Sequence, residues 1–229
     1  MKTEESAEAI NLLLSHCRTK TYEPKDVVIK PGFKGDILYY LIKGSCSVAL
    51  QNKNGDNAII AYINPGDFIG EMGIFVGEMP RQVTVTARET CEIAQIGYER
   101  LHGLLKAKLS NEQVIGILTL LGKQMARRLL STDRKVSNLI SLDVEGRIGQ
   151  LLIELSRSPA AITHPEGVLI HITRQEIARS VGCSRELAGK VLTEFHTQEL
   201  IHAHGKSLVI YGERGNTPQG FRPKLPDIG

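Results

Sequence analysis

The segment Ile172–Val191 constrains the fold of this chain most, because it carries start and stop signals for two short helices. It reads ITRQEIARSVGCSRELAGKV. Thr173, with Glu176 three residues later, predicts a capping box at the start of the first helix. Gly182 predicts the left-handed turn that ends it, and Ser184 predicts the N-cap of the second. The segment therefore predicts a helix-turn-helix.

The predicted helices, 174–181 and 185–193, divide their residues between a packed face and a free face. Four apolar residues have the spacing to pack the helices together: Ala178, Val181, Leu187 and Val191. Arg185, Glu186 and Lys190 are left free near the start of the second helix, the part that meets base edges in a major groove. Arginine or lysine suits guanine, and a carboxylate accepts from cytosine. Two ordinary charged surface helices are the alternative.

Composition sets limits on partners and location. The chain has 229 residues and a net charge of only +3. A basic surface that binds nucleic acid must therefore be a local cluster of residues. Four widely separated cysteines without CxxC spacing predict reduced, buried thiols and neither metal nor disulfide: Cys17, Cys46, Cys91 and Cys183. The acidic start MKTEESAEAI has no apolar signal core, and no run is long enough to span a membrane. We expect a cytoplasmic protein that does not contact a membrane.

The first half of the chain predicts a β jelly roll. A short helix at 7–16 precedes strand-like runs separated by turn residues such as Asn54-Gly55. Six or more strands are predicted between about residues 21 and 96, for example at 26–29, 37–42, 45–49, 58–63, 82–87 and 92–96. Regular spacing of short strands is typical of a jelly roll. With the helices that follow, the fold class is α+β.

A long helix is predicted over about 110–137, after a short one at 98–106. Its recurring side chains form a heptad-like seam: Val114, Leu118, Leu121, Met125, Leu129, Thr132, Val136 and Leu139. This spacing favours pairing with a second copy of the helix. Packing against its own domain is the alternative. Thr132 is the only polar member of the seam.

The remaining segments define domain boundaries. Residues 138–143 predict a hinge between a first domain, 1–138, and a second, 139–213, and Asp143 predicts the cap of a helix at 144–156. A loop at 157–167 and, after the helix-turn-helix, a β-hairpin turning at Gly205 follow. Residues 214–229 are rich in proline and glycine and predict a disordered tail.

A glycine-rich turn predicts a ligand cradle. Residues 68–85 read FIGEMGIFVGEMPRQVTV. Gly70 lets the backbone approach a ligand closely. Glu71 offers a carboxylate to a sugar hydroxyl, and Arg81 offers a planar fork to a phosphate. A plain surface hairpin is the alternative.

The order of these motifs resembles the CRP/FNR family of transcription regulators, and most of all its cyclic-AMP-responsive members. The shared segments are FIGE with the later arginine, QMARRL, LDVEGRI, THPEG and TRQEI with VGCSRE. The resemblance covers about residues 8–213 and excludes the tail. It implies a cyclic-nucleotide-binding jelly roll, a dimerisation helix and a winged helix-turn-helix. It further implies a homodimer that binds a palindromic TGTGA-type operator in double-stranded DNA and contacts RNA polymerase.

The resemblance also implies ligand-binding roles. Gly70 and Glu71 would bind the ribose and cyclic phosphate, Arg81 would pair with the phosphate, and Thr132 would bond the adenine amino group. A partner at the adenine would account for the one polar residue of the seam. Cyclic AMP is therefore the expected effector, and no metal is expected.

Two positions depart from the cyclic-AMP-responsive pattern. Gln82 and Asp133 stand where those members carry serines. Gln82 still offers a hydrogen-bond donor to phosphate, whereas Asp133 brings a carboxylate towards the purine that is costly if it is dehydrated and unpaired. Cyclic GMP, cyclic di-GMP or a nucleotide-free active form therefore remain alternatives. A relative in this family responds to cyclic di-GMP.

For DNA, the resemblance places Arg185, Glu186 and Lys190 at the three base-reading positions. Lys190 replaces an arginine, which keeps the charge and loses the bidentate fork. The other DNA-binding residues are implied along the backbone and at the recognition-helix cap: Arg174, Gln175, Ser184 and Lys206.

For RNA polymerase, the resemblance implies two contacts. One is the loop 161–167, around Thr163, His164 and Gly167. The second is basic and comprises Arg18, Lys20 and Arg100. Ordinary solvated surface residues are the alternative for all six.

Two other function classes are alternatives to a ligand-gated transcription regulator. An enzyme acting on nucleotides is disfavoured, because no set of nucleophile, base and orienting residue is evident and the histidines follow no metal spacing. A nucleotide-independent DNA-binding protein remains an alternative. Iron–sulfur sensing is disfavoured because the N-terminus has no cysteine cluster.

Overall fold

The computed structural model describes residues 2–51, 57–77, 79–213 and 222–225. The chain forms two compact units. The first comprises Met1–Gly55 with Ile60–Asp133, and the second comprises Asp56–Ile59 with Arg134–Gly229. The division falls inside the long helix, five residues before the boundary proposed from sequence.

The N-terminal unit is built from two four-stranded sheets that follow a first helix, α1 (Lys2–Ser15). The strands are β1 (Arg18–Tyr22), β2 (Val27–Ile29), β3 (Ile37–Lys43), β4 (Cys46–Gln51), β5 (Asn57–Ile63), β6 (Phe68–Ile69), β7 (Thr84–Ala87) and β8 (Cys91–Gly97). Their orders are β1-β8-β3-β6 and β2-β7-β4-β5. The predicted β-rich domain is confirmed, although the separate strands β1 and β6 were not predicted.

Two cysteines lie in the core between these strands. Cys46 and Cys91 are fully buried, and their Sγ atoms are 3.8 Å apart in the free-thiol form. Burial raises the pKa of the Cys46 thiol well above its usual range. The expectation of buried thiols is wrong for Cys17 and Cys183, which are only partly buried.

Three helices follow the turn and the strands: α2 (Met72–Val76), α3 (Tyr98–Ala107) and α4 (Asn111–Ser141). α2 was not predicted. α4 continues through Ser141, so the hinge predicted at 138–143 is reduced to Leu142 and Asp143. The segment after Ser137 contains no glycine or proline to end the helix, and the Leu142 amide still bonds the Asn138 oxygen at 3.0 Å. Among the described helices, none is long and apolar enough to cross a membrane.

Two positions in the first half of the predicted seam on α4, Val114 and Leu121, are one residue off. Leu121 is only 1% exposed and packs with Ile117 in the core of the N-terminal unit. The exposed large apolar side chains of α4 are Ile115, Leu118, Leu129, Leu130, Val136, Leu139 and Ile140.

Five of these residues keep strict heptad spacing. We call them the α4 seam: Ile115, Leu118, Leu129, Val136 and Leu139. Ile115 and Gly122 thus take the places predicted for Val114 and Leu121. Met125 and Thr132 lie at the intervening seam positions.

The C-terminal unit packs three helices against a sheet. Its elements are α5 (Val144–Ser156), β9 (Ile162–His164), β10 (Gly167–His171), α6 (Arg174–Val181), α7 (Arg185–Thr197), β11 (Ile201–His204), β12 (Ser207–Glu213) and β13 (Arg222–Pro223). The strand order is β11-β12-β10-β9, and β13 pairs with β12. The predicted loop 157–167 therefore contains a strand, β9. Helix α7 runs four residues beyond its predicted end.

The predicted disordered tail needs a correction over residues 222–225. β13 pairs with β12, and Leu225 is 3% exposed within the core of the C-terminal unit. Burying a leucine stabilises a fold by about 2 kcal/mol, which offsets part of the backbone entropy lost when residues 222–225 are ordered. Residues 214–221 and 226–229 lie outside the described residues.

Candidate functional site

The glycine-rich turn after β6 holds the Arg81 guanidinium against the backbone. Gly70 has a φ of +88°, and a Cβ there would lie 2.5 Å from Nη1 of Arg81 and 2.8 Å from the oxygen of Ile37. Only glycine therefore fits this position. Arg81 donates through Nη2 to the same Ile37 oxygen. The guanidinium is thereby placed at the turn, as a phosphate anchor requires.

A tyrosine that sequence reasoning missed supports the same turn. The Tyr98 hydroxyl donates to the backbone oxygen of Gly70. A Cβ at Gly73 would lie 2.5 Å from the Tyr98 Oη, so a second glycine makes room for the ring. Burial raises the pKa of Tyr98, and the nearby charge of Arg81 opposes that rise. Tyr98 therefore stays protonated and able to donate at neutral pH.

Glu71 is buried and paired with a residue of the long helix. Its side chain is 4% exposed and accepts from Nη1 of Arg128. Nη2 of Arg128 donates to the Phe68 oxygen at 2.7 Å. This charge-assisted pairing satisfies a carboxylate that would otherwise be costly to bury.

A second residue of α4 holds the start of the turn. The Gln124 side-chain amide accepts from the Phe68 amide at 2.7 Å and donates to the Phe68 oxygen at 2.8 Å. Sequence reasoning assigned no role to Gln124 or Arg128. Both belong to QMARRL, the motif that the family resemblance had already singled out in the long helix.

The other predicted ligand residues lie around this cluster with fewer contacts. Thr132 is exposed, and its hydroxyl donates to the Arg128 backbone oxygen at 2.9 Å, one turn from the Glu71 pair. Gln82 and Asp133 are exposed. The described contacts bring Gly70, Glu71 and Arg81 together. Thr132 is linked to them only through Arg128, which bonds both the Thr132 hydroxyl and the Glu71 carboxylate.

The helix-turn-helix has the predicted caps. The Glu176 amide donates to the Thr173 hydroxyl at 3.1 Å, and the Thr173 amide donates to the Glu176 carboxylate at 2.9 Å. Gly182 adopts a left-handed φ of +73°, and the Ser184 hydroxyl accepts from the Leu187 amide at 3.1 Å. The capping residues and the glycine in the sequence were therefore sufficient to predict where α6 begins and ends and where α7 begins.

One detail of the helix packing differs from the prediction. Leu187 is 39% exposed, and Ala188 is fully buried in its place. Ala178, Val181 and Val191 are buried as expected.

An open groove of about 610 Å³ lies on the free face of α7. Its lining comprises Arg174, Arg185, Glu186, Gly189, Lys190, Thr193, Glu194 and Thr197. The three predicted base-reading residues thus share a surface with Arg174. Hydrogen bonding to backbone at the helix start, together with the Ser184 hydroxyl, lowers the pKa of Glu186. Glu186 is therefore an ionised acceptor at neutral pH.

The remaining predicted DNA contacts are exposed near the same helices. Gln175 is the second residue of α6, and Ser184 caps α7. Lys206 lies in the turn between β11 and β12, where its oxygen accepts from the Ile172 amide at 3.0 Å. This bond ties the hairpin tip to the segment that leads into α6.

The residues predicted to contact RNA polymerase fall into two groups. His164 pairs with Gly167 across β9 and β10, and Thr163 is exposed. A Cβ at Gly167 would lie 2.0 Å from the Ile210 oxygen, so the hairpin requires glycine there.

The second group is basic and exposed. Arg18 and Lys20 alternate along β1 and so share a face. Arg100 lies on α3, close enough to Cys17 for its charge to oppose the burial that raises the pKa of that thiol to about 11. Arg100 is therefore near the start of β1.

Comparison with known proteins identifies both units. A cyclic nucleotide-binding domain model matches residues 19–108, and a Crp-like helix-turn-helix domain model matches residues 146–212. The cAMP-activated global transcriptional regulator CRP of Salmonella typhimurium is 46% identical over 201 residues, which cover 88% of this chain and 93% of that protein. The chain belongs to the CRP family.

Other CRP-family proteins match over similar lengths. Vfr of Pseudomonas aeruginosa, a cAMP-activated global transcriptional regulator, is 42% identical over 90% of this chain and 94% of its own length. The structure of CLP, the c-di-GMP responsive global regulator of Xanthomonas campestris, has a TM-score of 0.82 and 41% identity, and covers 90% of this chain and all of CLP. The chain is thus a cyclic-nucleotide-responsive, DNA-binding transcription regulator. Among the described residues, no cluster of three or more His, Cys, Asp or Glu side chains is placed to hold a metal ion.

Proposed function

We propose that this CRP-family protein binds cyclic AMP as its allosteric effector and then binds its operator. The observation that carries the proposal is the turn at Gly70, where Arg81 lies against the backbone and Glu71 is held by Arg128 of α4. The guanidinium of Arg81 suits a cyclic phosphate, and the carboxylate of Glu71 suits a ribose hydroxyl. The cAMP-activated relatives at 46% and 42% identity support the same effector.

Cyclic di-GMP is the second candidate effector. The similarity to CLP favours it, as do Gln82 and Asp133, which replace the serines expected in cyclic-AMP-responsive members. Calorimetric titration of the purified protein with cyclic AMP, cyclic GMP and cyclic di-GMP decides between them. Cyclic AMP is expected to bind most tightly. Tighter binding of cyclic di-GMP would overturn the proposal.

The protein acts as a binder of the nucleotide and not as a hydrolase in this proposal. The relatives are transcription regulators. The described residues around Gly70 offer binding groups, but no evident nucleophile with a general base beside it. Prolonged incubation with cyclic AMP, followed by chromatography, should yield no AMP. AMP that appears in proportion to protein concentration would contradict this.

The active form is a homodimer in the cytoplasm that contacts DNA through α7. The α4 seam supplies an apolar stripe suited to a parallel copy, and a two-fold dimer matches a palindromic operator of the TGTGA type. The groove lined by Arg174, Arg185, Glu186 and Lys190 would meet the major groove in each half-site. Gln175, Ser184 and Lys206 would contact the DNA backbone.

RNA polymerase is the proposed protein partner. Thr163, His164 and Gly167 on the β9–β10 hairpin form the first contact surface, and Arg18, Lys20 and Arg100 form the second. Transcription activated in vitro at saturating operator occupancy should fall when Thr163 or Arg18 is changed to aspartate. Activation that is unchanged in both variants would contradict both contacts.

A further inference from the structure

Two histidines of the C-terminal unit lie side by side where α7 turns back into the sheet. His196 is in the last turn of α7, and His202 is the second residue of β11. Their ring centres are 5.2 Å apart, and the ring planes are inclined by 54°. Both side chains are exposed. Because a helix end and a turn separate them in the sequence, no regular helix or strand spacing indicated this pair.

A hydrogen bond to the backbone fixes the orientation of the His196 ring. Its Nδ1 lies 3.1 Å from the Ile201 oxygen. A carbonyl oxygen can only accept, so Nδ1 carries the hydrogen and donates it, and the neutral ring keeps its lone pair on Nε2. Histidines that bind metals are commonly oriented in this way, by a bond from the other ring nitrogen to a backbone carbonyl or a carboxylate.

The turn between α7 and β11 fixes the spacing of the two rings. The Glu199 amide donates to the His196 oxygen at 3.1 Å. The Leu200 amide donates to the Phe195 oxygen at 2.9 Å. Glu199 adopts a left-handed φ of +55°, which reverses the chain after α7, and β11 then pairs with β12. A hydrogen-bonded backbone therefore holds the two rings close together before any ligand arrives.

The separation of the rings matches that of two imidazoles on one metal ion. Zn–N bonds of about 2.0–2.1 Å place each ring centre about 3.2 Å from the ion, so a tetrahedral angle between the ligands gives a separation of about 5.2 Å. The rings of His196 and His202 have this separation. In the part of the chain that the structure describes, no third His, Cys, Asp or Glu is grouped with the pair. Since both rings are exposed, water can complete the coordination.

We propose that His196 and His202 form a binding site for a divalent transition-metal ion such as Zn²⁺, with His196 binding through Nε2. Imidazole nitrogen suits Zn²⁺, Ni²⁺ and Cu²⁺, whereas Mg²⁺ prefers oxygen ligands. The pair supplies two of the four protein ligands that a closed structural zinc site has. The ion is therefore exchangeable, and the fold does not depend on it.

A metal ion at this pair joins the end of α7 to β11. The start of α7 carries Arg185 and Glu186, and the turn after β11 carries Lys206. The ion thus links two elements of the proposed DNA-binding surface without contacting the side chains proposed to read bases. It should also stabilise the C-terminal unit by mass action, because the unfolded chain does not hold the two rings together.

Calorimetric titration of the full-length protein, without an affinity tag, tests the site with Zn²⁺ and Ni²⁺ as probes and Mg²⁺ as the negative control. His196→Asn removes Nε2 and keeps a side-chain amide that can donate to the Ile201 oxygen. His202→Asn removes the other ring. His204→Asn is the matched control, since His204 is exposed and lies two residues further along β11. Urea unfolding without metal checks that each variant is folded.

The wild type and His204→Asn should bind Zn²⁺ and Ni²⁺ with equal affinity and should not bind Mg²⁺. His196→Asn and His202→Asn should each weaken Zn²⁺ binding about tenfold or more. Combining the two should weaken it little further, because both rings bind the same ion. Zn²⁺ should raise the unfolding temperature of the wild type and of His204→Asn more than that of the other two variants.

Two results would overturn the inference. One is a wild type that shows no saturable binding of Zn²⁺ or Ni²⁺ up to millimolar concentrations. The other is an unchanged Zn²⁺ affinity in either His196→Asn or His202→Asn, which would place the ion elsewhere on the protein.

Discussion

Arg128 of the long helix pairs with the buried carboxylate of Glu71, which lies 57 residues earlier in the chain. The same guanidinium also donates to the Phe68 oxygen at 2.7 Å. A ligand that contacts Glu71 therefore acts on a group already bonded to α4. This pairing is a direct physical connection between the proposed nucleotide pocket and the proposed dimerisation helix.

Replacing Arg128 with leucine should destabilise the N-terminal unit. The buried carboxylate of Glu71 would lose its cation, which should lower the free energy of unfolding by about 3 kcal/mol. This value is at the low end for a broken buried ion pair, because the Arg128 side chain is 32% exposed. Urea unfolding measures this loss. Adding Glu71→Gln to Arg128→Leu should recover part of it. A double variant no more stable than the single one would show that the ion pair is not the source.

Replacing Arg81 with leucine should abolish cyclic AMP binding. The phosphate loses its solvation water when it binds at the Gly70 turn, and the fixed fork of Arg81 replaces that water. Arg81→Lys keeps the charge without the fork and should retain weaker binding. Titration calorimetry compares the three proteins. Undiminished binding by Arg81→Leu would place the nucleotide elsewhere.

Lysines on the α4 seam should produce monomers. Leu118→Lys with Leu129→Lys puts two charges per helix into the apolar seam, where the partner helix would desolvate them. Leu130→Lys is the matched control, because Leu130 is 57% exposed but lies outside the heptad positions. Sedimentation should show dimers for the wild type and the control. A wild type that is monomeric at micromolar concentration would rule out this interface.

Arg185→Ala should lose sequence discrimination rather than general DNA affinity. Arg185 lies at the exposed start of α7 beside Glu186, and a bidentate contact to guanine is worth about 1–3 kcal/mol. Gel shifts with the operator and with operators altered at each guanine measure the effect. Arg157→Ala, an exposed arginine at the end of α5, is the control. Equal weakening on random DNA would contradict base reading.

The parts of the molecule predicted well from sequence are those determined by neighbouring residues. The capping box of Thr173 and Glu176, the left-handed Gly182 and the cap at Ser184 all act within four residues, so α6 begins and ends as expected and α7 begins as expected. The Gly70 turn was also found from its local pattern.

The parts missed depend on contacts between distant segments. The residues near Arg128 in the sequence do not indicate that it will pair with Glu71. Those near Tyr98 do not indicate that its hydroxyl will bond the Gly70 oxygen. The predicted seam is one residue off at Val114 and Leu121, because α4 has two adjacent apolar rows and the row with Leu121 packs on its own unit. Leu225 was missed because the prolines and glycines around it predict disorder. Its burial depends on a core that distant segments form, which no neighbouring residue indicates.

Thr132→Ala should separate nucleotide binding from its effect on DNA. In the structure the Thr132 hydroxyl bonds the Arg128 oxygen on α4, next to the Glu71 pair. Without the hydroxyl, some cyclic AMP binding should remain, whereas the ligand should increase operator affinity less than in the wild type. The ratio of operator Kd without and with saturating cyclic AMP measures this coupling. A ratio equal to that of the wild type would exclude Thr132 from the coupling.

The central claim is that cyclic AMP binding at the Gly70 turn and operator binding by α7 are coupled. A ligand shifts such an equilibrium only through its different affinity for the two states, and the coupling is reciprocal. The most direct measurement is the wild-type operator Kd across the saturation range of cyclic AMP, paired with the cyclic AMP Kd with and without operator DNA. We predict that each ligand tightens the binding of the other by the same factor. An operator Kd that does not change as cyclic AMP saturates the protein would contradict the claim.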